Sequence, residues 1–261
     1  MSQSLRYTLL DPTGNITLLV ESAVPEALQP EAALRLMELE PSTEQVGFVS
    51  FSDHGVRLRM AGGEFCGNAS LCAAALSLDR MGHTEGTVPV SVSGTEEPVT
   101  AFLTRHPDGS WRGTVTMPRP LSVKRERLPD GQSRPVVRFP GIAHVILEET
   151  PDRTSAEALA PLWCEHMGTE ALGMMFLDRA RQTLTPLVYV PAAGTLFWES
   201  SCASGTTAVG AYLSQETGGP VSLPLSQPGG ILEITAGTDG SLLLGGSVRL
   251  LRSVSADIIL R

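Results

Sequence analysis

An α+β chain of two similar halves, each a curled sheet around a central helix, is predicted by three observations. The first is an internal repeat. Pro89-Val90-Ser91-Val92 returns 131 residues later as Pro220-Val221-Ser222-Leu223, and the same offset carries Asp108-Gly109-Ser110 onto Asp239-Gly240-Ser241. After a slip of two residues, Gly113 and Val115 meet Gly246 and Val248. One short match would mean little; three in the same order argue for a repeated unit. The second observation is a pair of stretches rich in small and apolar residues, 69–78 and 206–213. Both read as helices that a sheet could wrap closely. The third is a set of short segments with period-two alternation, joined by Asp-Gly turns suited to hairpins.

Each half follows the same order of elements. In the first, a loop delivers Cys66, the helix over 69–78 follows, and the strand over 88–92 leads to a hairpin at Asp108-Gly109. Pro118-Arg119-Pro120 punctuates the chain. It divides residues 1–119 from residues 120–261, with the C-terminal strand a candidate to complete the first half. In the second, 154–168 reads as a surface helix opening at a Ser or Thr cap. A loop then delivers Cys202, the helix over 206–213 follows, and the segments 231–235 and 242–251 supply strands around Asp239-Gly240.

Composition narrows the function. At 42% hydrophobic and 18% charged, the 261 residues can bury a core and are not those of a disordered chain. Mean hydropathy is +0.07, yet no apolar run approaches the ~18 residues of a membrane span. The start, Met1-Ser2-Gln3-Ser4-Leu5-Arg6, lacks a signal-peptide layout, so a cytoplasmic protein is expected. Nineteen basic against 28 acidic residues give −9, and the basic cluster at 124–127 is short. Nucleic acid and anionic membranes are therefore excluded as partners.

Four cysteines without a secretory signal do not make a disulfide framework, and Cys66 and Cys72, six apart with no second close pair, do not make a zinc site. Cys72 and Cys164 read as small buried hydrophobes. Cys66 and Cys202 stand in different company. Cys66-Gly67-Asn68-Ala69 and Cys202-Ala203-Ser204-Gly205 each set a cysteine before small residues that open a helix. Free N–H groups and the helix dipole there favour a thiolate and offer a carboxylate site. Two such loops facing each other would hold a substrate carboxylate with a sulfur on either side of its α-carbon. One thiolate would take the α-proton and the opposite thiol return one to the other face, inverting the centre.

These residues carry a resemblance. Cys66-Gly67-Asn68 with Cys72, and Cys202-Ala203-Ser204-Gly205, resemble the two signatures of the diaminopimelate epimerase family, the cofactor-independent two-base racemases. Gly14-Asn15 resembles its N-terminal Gly-Asn pair, Gln45 a glutamine before the next strand, and Gly141-Ile142-Ala143-His144 its Gly-Asn-Pro-His. The resemblance implies two pseudo-symmetric, β-barrel-like domains, each around a helix. It implies Cys66 and Cys202 as catalytic bases, with His144 and Glu199 as the auxiliary groups that tune them. Asn15, Gln45, Gly67, Asn68, Ala203 and Ser204 would bind the substrate, and no metal or cofactor is implied. Plainer readings stand beside these: His144 as a core histidine, Glu199 as a loop acid, Asn68 as a helix cap, Asn15 as a turn residue.

The departures from the family bear on the substrate. Where diaminopimelate epimerases grip a distal charged group, this chain has Ser200, Ile142 and Met60, and 185–187 offers no asparagine. A buried charge without partners costs several kcal/mol, so a different amino acid is expected. Members resembling this pattern include histidine racemases, which makes histidine a candidate. No glycine-rich phosphate cup stands out, nor a lysine suited to a Schiff base. The alternatives are a diaminopimelate epimerase with altered distal contacts and an amino-acid-binding protein that has lost catalysis. The partner is a small-molecule amino acid, with a homodimer as the candidate assembly.

Overall fold

The computed structural model describes residues 2–260, which fall into two compact units, one of residues 2–116 with 245–260 and the other of Met117–Leu244. The boundary comes at Met117 rather than 120, and the last strand of the chain belongs to the first unit. Among the described residues no helix is long and apolar enough to cross a membrane.

The first unit contains β1 (Ser2–Pro12), β2 (Thr17–Val20), α1 (Gln29–Leu39), β3 (Gln45–Ser52), β4 (Gly55–Met60), α2 (Gly67–Arg80), β5 (Glu85–Val92), β6 (Val99–Arg105) and β7 (Trp111–Thr116). Strands β1 to β7 pair in sequence order. The long last strand β16 (Leu242–Ile259) pairs with β7 and runs antiparallel to β1 from Ser2↔Ile259 to Pro12↔Val248. Eight strands thereby close a barrel. Helix α2 lies against β1 through β7, and its residues 67–78 are all buried. That is why its sequence is alanine-rich, since small side chains let surrounding strands approach. It runs two residues beyond the predicted 69–78 at each end, beginning with Gly67-Asn68, which read as loop, and ending with Asp79-Arg80. Helix α1, unforeseen in the sequence, packs Ala32, Ala33 and Leu36 outside the barrel against a core with Leu5, Leu18 and Val46. Glu40 at its end accepts from Tyr7 Oη at 3.0 Å and pairs with Arg252, which ties β1 and β16 together.

The second unit contains β8 (Ser122–Arg127), β9 (Ser133–Phe139), β10 (Ile142–Leu147), α3 (Arg153–Met167), β11 (Ala171–Asp178), β12 (Thr183–Val190), β13 (Thr195–Trp198), α4 (Ala203–Thr217), β14 (Val221–Gln227), β15 (Gly230–Ala236) and the first residues of β16. The order is β8-β9-β10-β11-β12-β14-β15-β16, with β13 beside β12. Helix α4 lies against β8 to β11 and β14 to β15. At Gly210 a Cβ would stand 2.3 Å from Ile234, so a residue without one is required for this approach. Helix α3 packs Ala160, Trp163 and Cys164 onto a core with Val145, Leu172 and Leu187. Its cap is Asp152 through Ser155 N, not a Ser or Thr.

The repeat falls on matching places. Pro89-Val90-Ser91 lies in β5 and Val221-Ser222 in β14, each the strand after an enclosed helix. Asp108-Gly109 turns β6 into β7, and Asp239-Gly240 turns β15 into β16.

Candidate active site

Each unit sets its cysteine as the N-cap of its enclosed helix. Cys66 has φ −138° and its sulfur accepts from Ala69 N at 3.3 Å; Cys202 has φ −122° and accepts from Gly205 N at 3.3 Å. In both cases the third N–H of the helix is spent on the sulfur. The first two N–H groups of any helix have no partner within it, and here they are those of Gly67 and Asn68 and of Ala203 and Ser204.

A hairpin turn braces each loop. In the first unit Ser93 Oγ donates to Glu64 O at 2.7 Å and accepts from Met60 N at 2.9 Å. Gly94, at φ +77°, lies so near that a Cβ would meet Phe65 N at 2.3 Å. In the second unit the brace is Gln227: its Oε1 accepts from Cys202 N at 2.9 Å and its Nε2 donates to Thr206 Oγ1 at 2.8 Å. Gly229 N donates to Ser200 O at 2.7 Å. Sequence reading missed Ser93, Gly94 and Gln227. For Gln227 a signal was present, a polar residue entering the Pro228-Gly229-Gly230 turn right after a strand.

Around Cys66 the first unit gathers several expected residues. The Cys66 thiol donates to Gln45 Oε1 at 2.7 Å. Gln45 pairs with Thr17 across β2 and β3, and Asn15, buried, sits two residues before Thr17 and accepts its hydroxyl at 3.1 Å on the backbone. Asn68 is buried in the first turn of α2, where the cap itself is Cys66 rather than Asn68. Cys72 lies deeper on α2, its thiol pushed up by burial, as a small hydrophobe should be.

Around Cys202 the second unit gathers His144, Glu199 and Ser204. Glu199 is positioned by its N–H on Pro186 O at 3.0 Å. His144, fully buried in β10, sets Nε2 3.1 Å from Ser204 Oγ, which is 3.6 Å from Cys202 Sγ. Burial pushes His144 down to about 3, so its imidazole is neutral. The expectation that the helix terminus lowers the thiol needs correction at Cys202, which is only 5% exposed. Burial first, then the charge of Glu199, holds this thiol well above its ordinary value, outweighing the hydrogen bonds from Ser204 and Gly205. Of the positions expected to refuse a distal charge, Met60 is buried at the end of β4, Ile142 begins β10, and Ser200 lies in the cysteine loop.

Among the described residues no three His, Cys, Asp or Glu side chains group as metal ligands. The chain's single lysine, Lys124, stands on β8 with its side chain 60% exposed, 3.7 Å from Glu126. It lies outside both cysteine loops.

Comparison with known proteins decides the family. Residues 4–251 match the model of the histidine racemase CntK N-terminal domain. The chain belongs to that family. A histidine racemase of Fusobacterium nucleatum subsp. nucleatum is 31% identical over 223 residues, 82% of each chain. A predicted epimerase from Pseudomonas aeruginosa superposes with a TM-score of 0.70 at 20% identity, over 97% of this chain and 99% of the other. A hydroxyproline epimerase from Agrobacterium vitis gives 0.67 at 12% identity, over 98% and 93%. These two structures share the fold. This member of the histidine racemase family is an isomerase, an amino-acid racemase, and the family that matches is the histidine racemases rather than the diaminopimelate epimerases that the motifs resemble.

Proposed function

We propose that this racemase inverts the α-carbon of histidine by two-base chemistry without pyridoxal phosphate, with Cys66 and Cys202 as the two sulfur bases. The two units would be pseudo-symmetric halves of a diaminopimelate epimerase-like pair. The observation that carries the reading is the repeated cap: in each unit a cysteine sulfur sits at a helix N-terminus, with two further N–H groups ahead of the helical ladder. The N–H groups of Gly67, Asn68, Ala203 and Ser204 would hold the substrate carboxylate and stabilise the charge that moves onto it as the α-proton leaves. One thiolate takes that proton and becomes a thiol. The opposite thiol gives its proton to the other face and becomes a thiolate, so each turnover exchanges the two sulfur states. Glu199 would accept the Cys202 proton when that sulfur must act as base, and Asn15 and Gln45 would line the substrate on the side of Cys66.

Cofactor independence is supported by the lysine inventory. A Schiff base needs an amine inside the pocket, and the one lysine is an exposed residue of β8. Histidine is supported by the named activity of the relatives and by the uncharged Met60, Ile142 and Ser200.

The test is α-hydrogen exchange in D₂O with pure L- and D-histidine, beside chiral chromatography of histidine and diaminopimelate. Replacing Cys66 or Cys202 by serine should lower racemisation by roughly a hundredfold to ten-thousandfold, and the two variants should retain exchange of opposite enantiomers. Wild-type-like racemisation by either variant would overturn the two-base reading. A diaminopimelate kcat/KM equal to that for histidine would overturn the substrate.

A further inference from the structure

The hydroxyl of Ser204 lies between two groups that have no other evident reason to meet. On one side is Cys202 Sγ at 3.6 Å; on the other is His144 Nε2 at 3.1 Å. His144 pairs with Gly173 across β10 and β11, and its ring rests on that glycine so closely that a Cβ there would stand 2.1 Å from Nδ1. Nδ1 is buried with no hydrogen-bond partner. A neutral imidazole carries one proton, and a buried N–H without an acceptor is the costlier way to leave a nitrogen unpaired. The proton therefore belongs on Nε2, where Ser204 Oγ accepts it.

The consequence for Ser204 follows from counting its capacity. A hydroxyl has one hydrogen to give and two lone pairs. With one lone pair taken by Nε2–H, the remaining lone pair can accept from a Cys202 thiol, and the hydroxyl hydrogen can turn toward a Cys202 thiolate. No proton on His144 has to move in either state. We propose that Ser204 is a positioning residue for Cys202, a hydroxyl anchored by neutral His144 that rotates to satisfy the sulfur both as thiol and as thiolate. His144 on this account is a fixed donor that orients Ser204, and it takes no proton during turnover. The absence of a Cβ at Gly173 is what lets the ring sit where Nε2 reaches the hydroxyl.

The proposal rests on the reading of Cys202 as a base, so its test needs one arm that does not. The first arm is the initial rate of α-deuterium exchange for L- and D-histidine by the wild type and by Ser204→Ala, Ser204→Thr and Cys202→Ser. Ser204→Ala should slow about tenfold the enantiomer whose exchange Cys202→Ser abolishes, leave the other enantiomer within about twofold, and be rescued by Ser204→Thr, which keeps the hydroxyl. Equal loss on both enantiomers, no loss, or failure of threonine to rescue would overturn the proposal. The second arm is alkylation of Cys202 and Cys66 by iodoacetamide, followed by peptide mass spectrometry from pH 7 to 10. Ser204→Ala should move Cys202 alkylation to higher pH and leave Cys66 in place; an unmoved Cys202 profile would overturn the proposal. If Cys202→Ser exchanges both enantiomers normally, the two-base reading falls, and the alkylation profile alone then decides whether Ser204 serves the Cys202 sulfur.

Discussion

Cys66 and Cys202 each accept the third N–H of a helix at the same 3.3 Å, but what surrounds the two sulfurs differs. Cys66 is partly exposed and gives its S–H to the neutral amide of Gln45. Cys202 is buried beside the carboxylate of Glu199, with Ser204 and His144 behind it. The shared cap contributes roughly 0.3–2 kcal/mol in favour of a thiolate. Removing a charge from water costs several kcal/mol, so at Cys202 burial and the neighbouring carboxylate prevail. Backbone geometry therefore gives each sulfur the same cap within its own unit, and at Cys202 the surrounding side chains and burial hold the proton on the thiol.

Removing the carboxylate gives the largest expected change. Glu199→Gln keeps the size of the side chain and takes away the charge that holds the Cys202 thiol up. Iodoacetamide should then alkylate Cys202 at lower pH than in the wild type, with the Cys66 profile unchanged. Racemisation should nevertheless fall by roughly a hundredfold to ten-thousandfold, as expected when a general base is lost. A more reactive sulfur in a less active enzyme would separate the role of Glu199 as proton acceptor from its effect on the thiol. If Cys202 alkylation moves to higher pH, or Cys66 shifts equally, the contrast between the two caps is wrong.

Much of this contrast could be read from the sequence on its backbone side and little of it on its side-chain side. A cysteine before Gly-Asn-Ala or Ala-Ser-Gly announces a helix start, because small residues there leave the cap open. The internal repeat announced that it would happen twice. The outer helix α1 went unseen because its buried face is mostly small or polar, Gln29, Ala32, Ala33 and Leu36, while its larger apolar residues Leu34 and Leu39 are exposed and blur the stripe. Gln227 and Ser93 brace the loops from hairpins that are remote in sequence; the turn after Gln227 marks a polar residue at a strand end, but nothing local says that its side chain will reach back to the cysteine loop. His144 was legible as a residue of interest, but its neutrality depends on burial in β10, a tertiary fact. The same holds for the raised Cys202 thiol, where local helix-start logic pointed the other way.

Acid titration tests the histidine side of the contrast, since His144 stands behind the Cys202 site. His144 ordinarily titrates near 6.5 and in the folded chain near 3. Above pH 6.5 it is neutral in both states and contributes no pH dependence. Below 6.5 the unfolded chain takes a proton that the folded chain refuses, so stability is lost as pH falls toward 3, by about 1.4 kcal/mol per pH unit. His144→Gln should flatten the plot of urea-unfolding free energy against pH over that window by close to this slope. The slope is the readout, so any uniform loss from poorer packing does not disturb the comparison. An unchanged slope would mean that His144 is already protonated when folded.

The smallest of the three effects is expected at Gln45, and it comes from making the first cap resemble the second. Gln45→Glu places a carboxylate where a neutral amide now accepts the Cys66 thiol at 2.7 Å. An amide can present either its oxygen to a thiol or its nitrogen to a thiolate, whereas a carboxylate suits only the thiol. Because the site is partly open to water, the added repulsion is screened and the effect modest, on the order of tenfold, or ~1.4 kcal/mol. Cys66 alkylation at pH 8 should slow by about that factor, and Cys202 alkylation should keep its wild-type profile. Exchange should slow for one enantiomer only, the one that Cys66→Ser no longer exchanges. Gln45→Ala, which removes the partner without adding charge, should give a smaller loss on the same enantiomer. If Gln45→Glu slows both enantiomers alike, the contact of Gln45 with the shared substrate outweighs its hold on the Cys66 sulfur, and the two caps would be less different than their surroundings suggest.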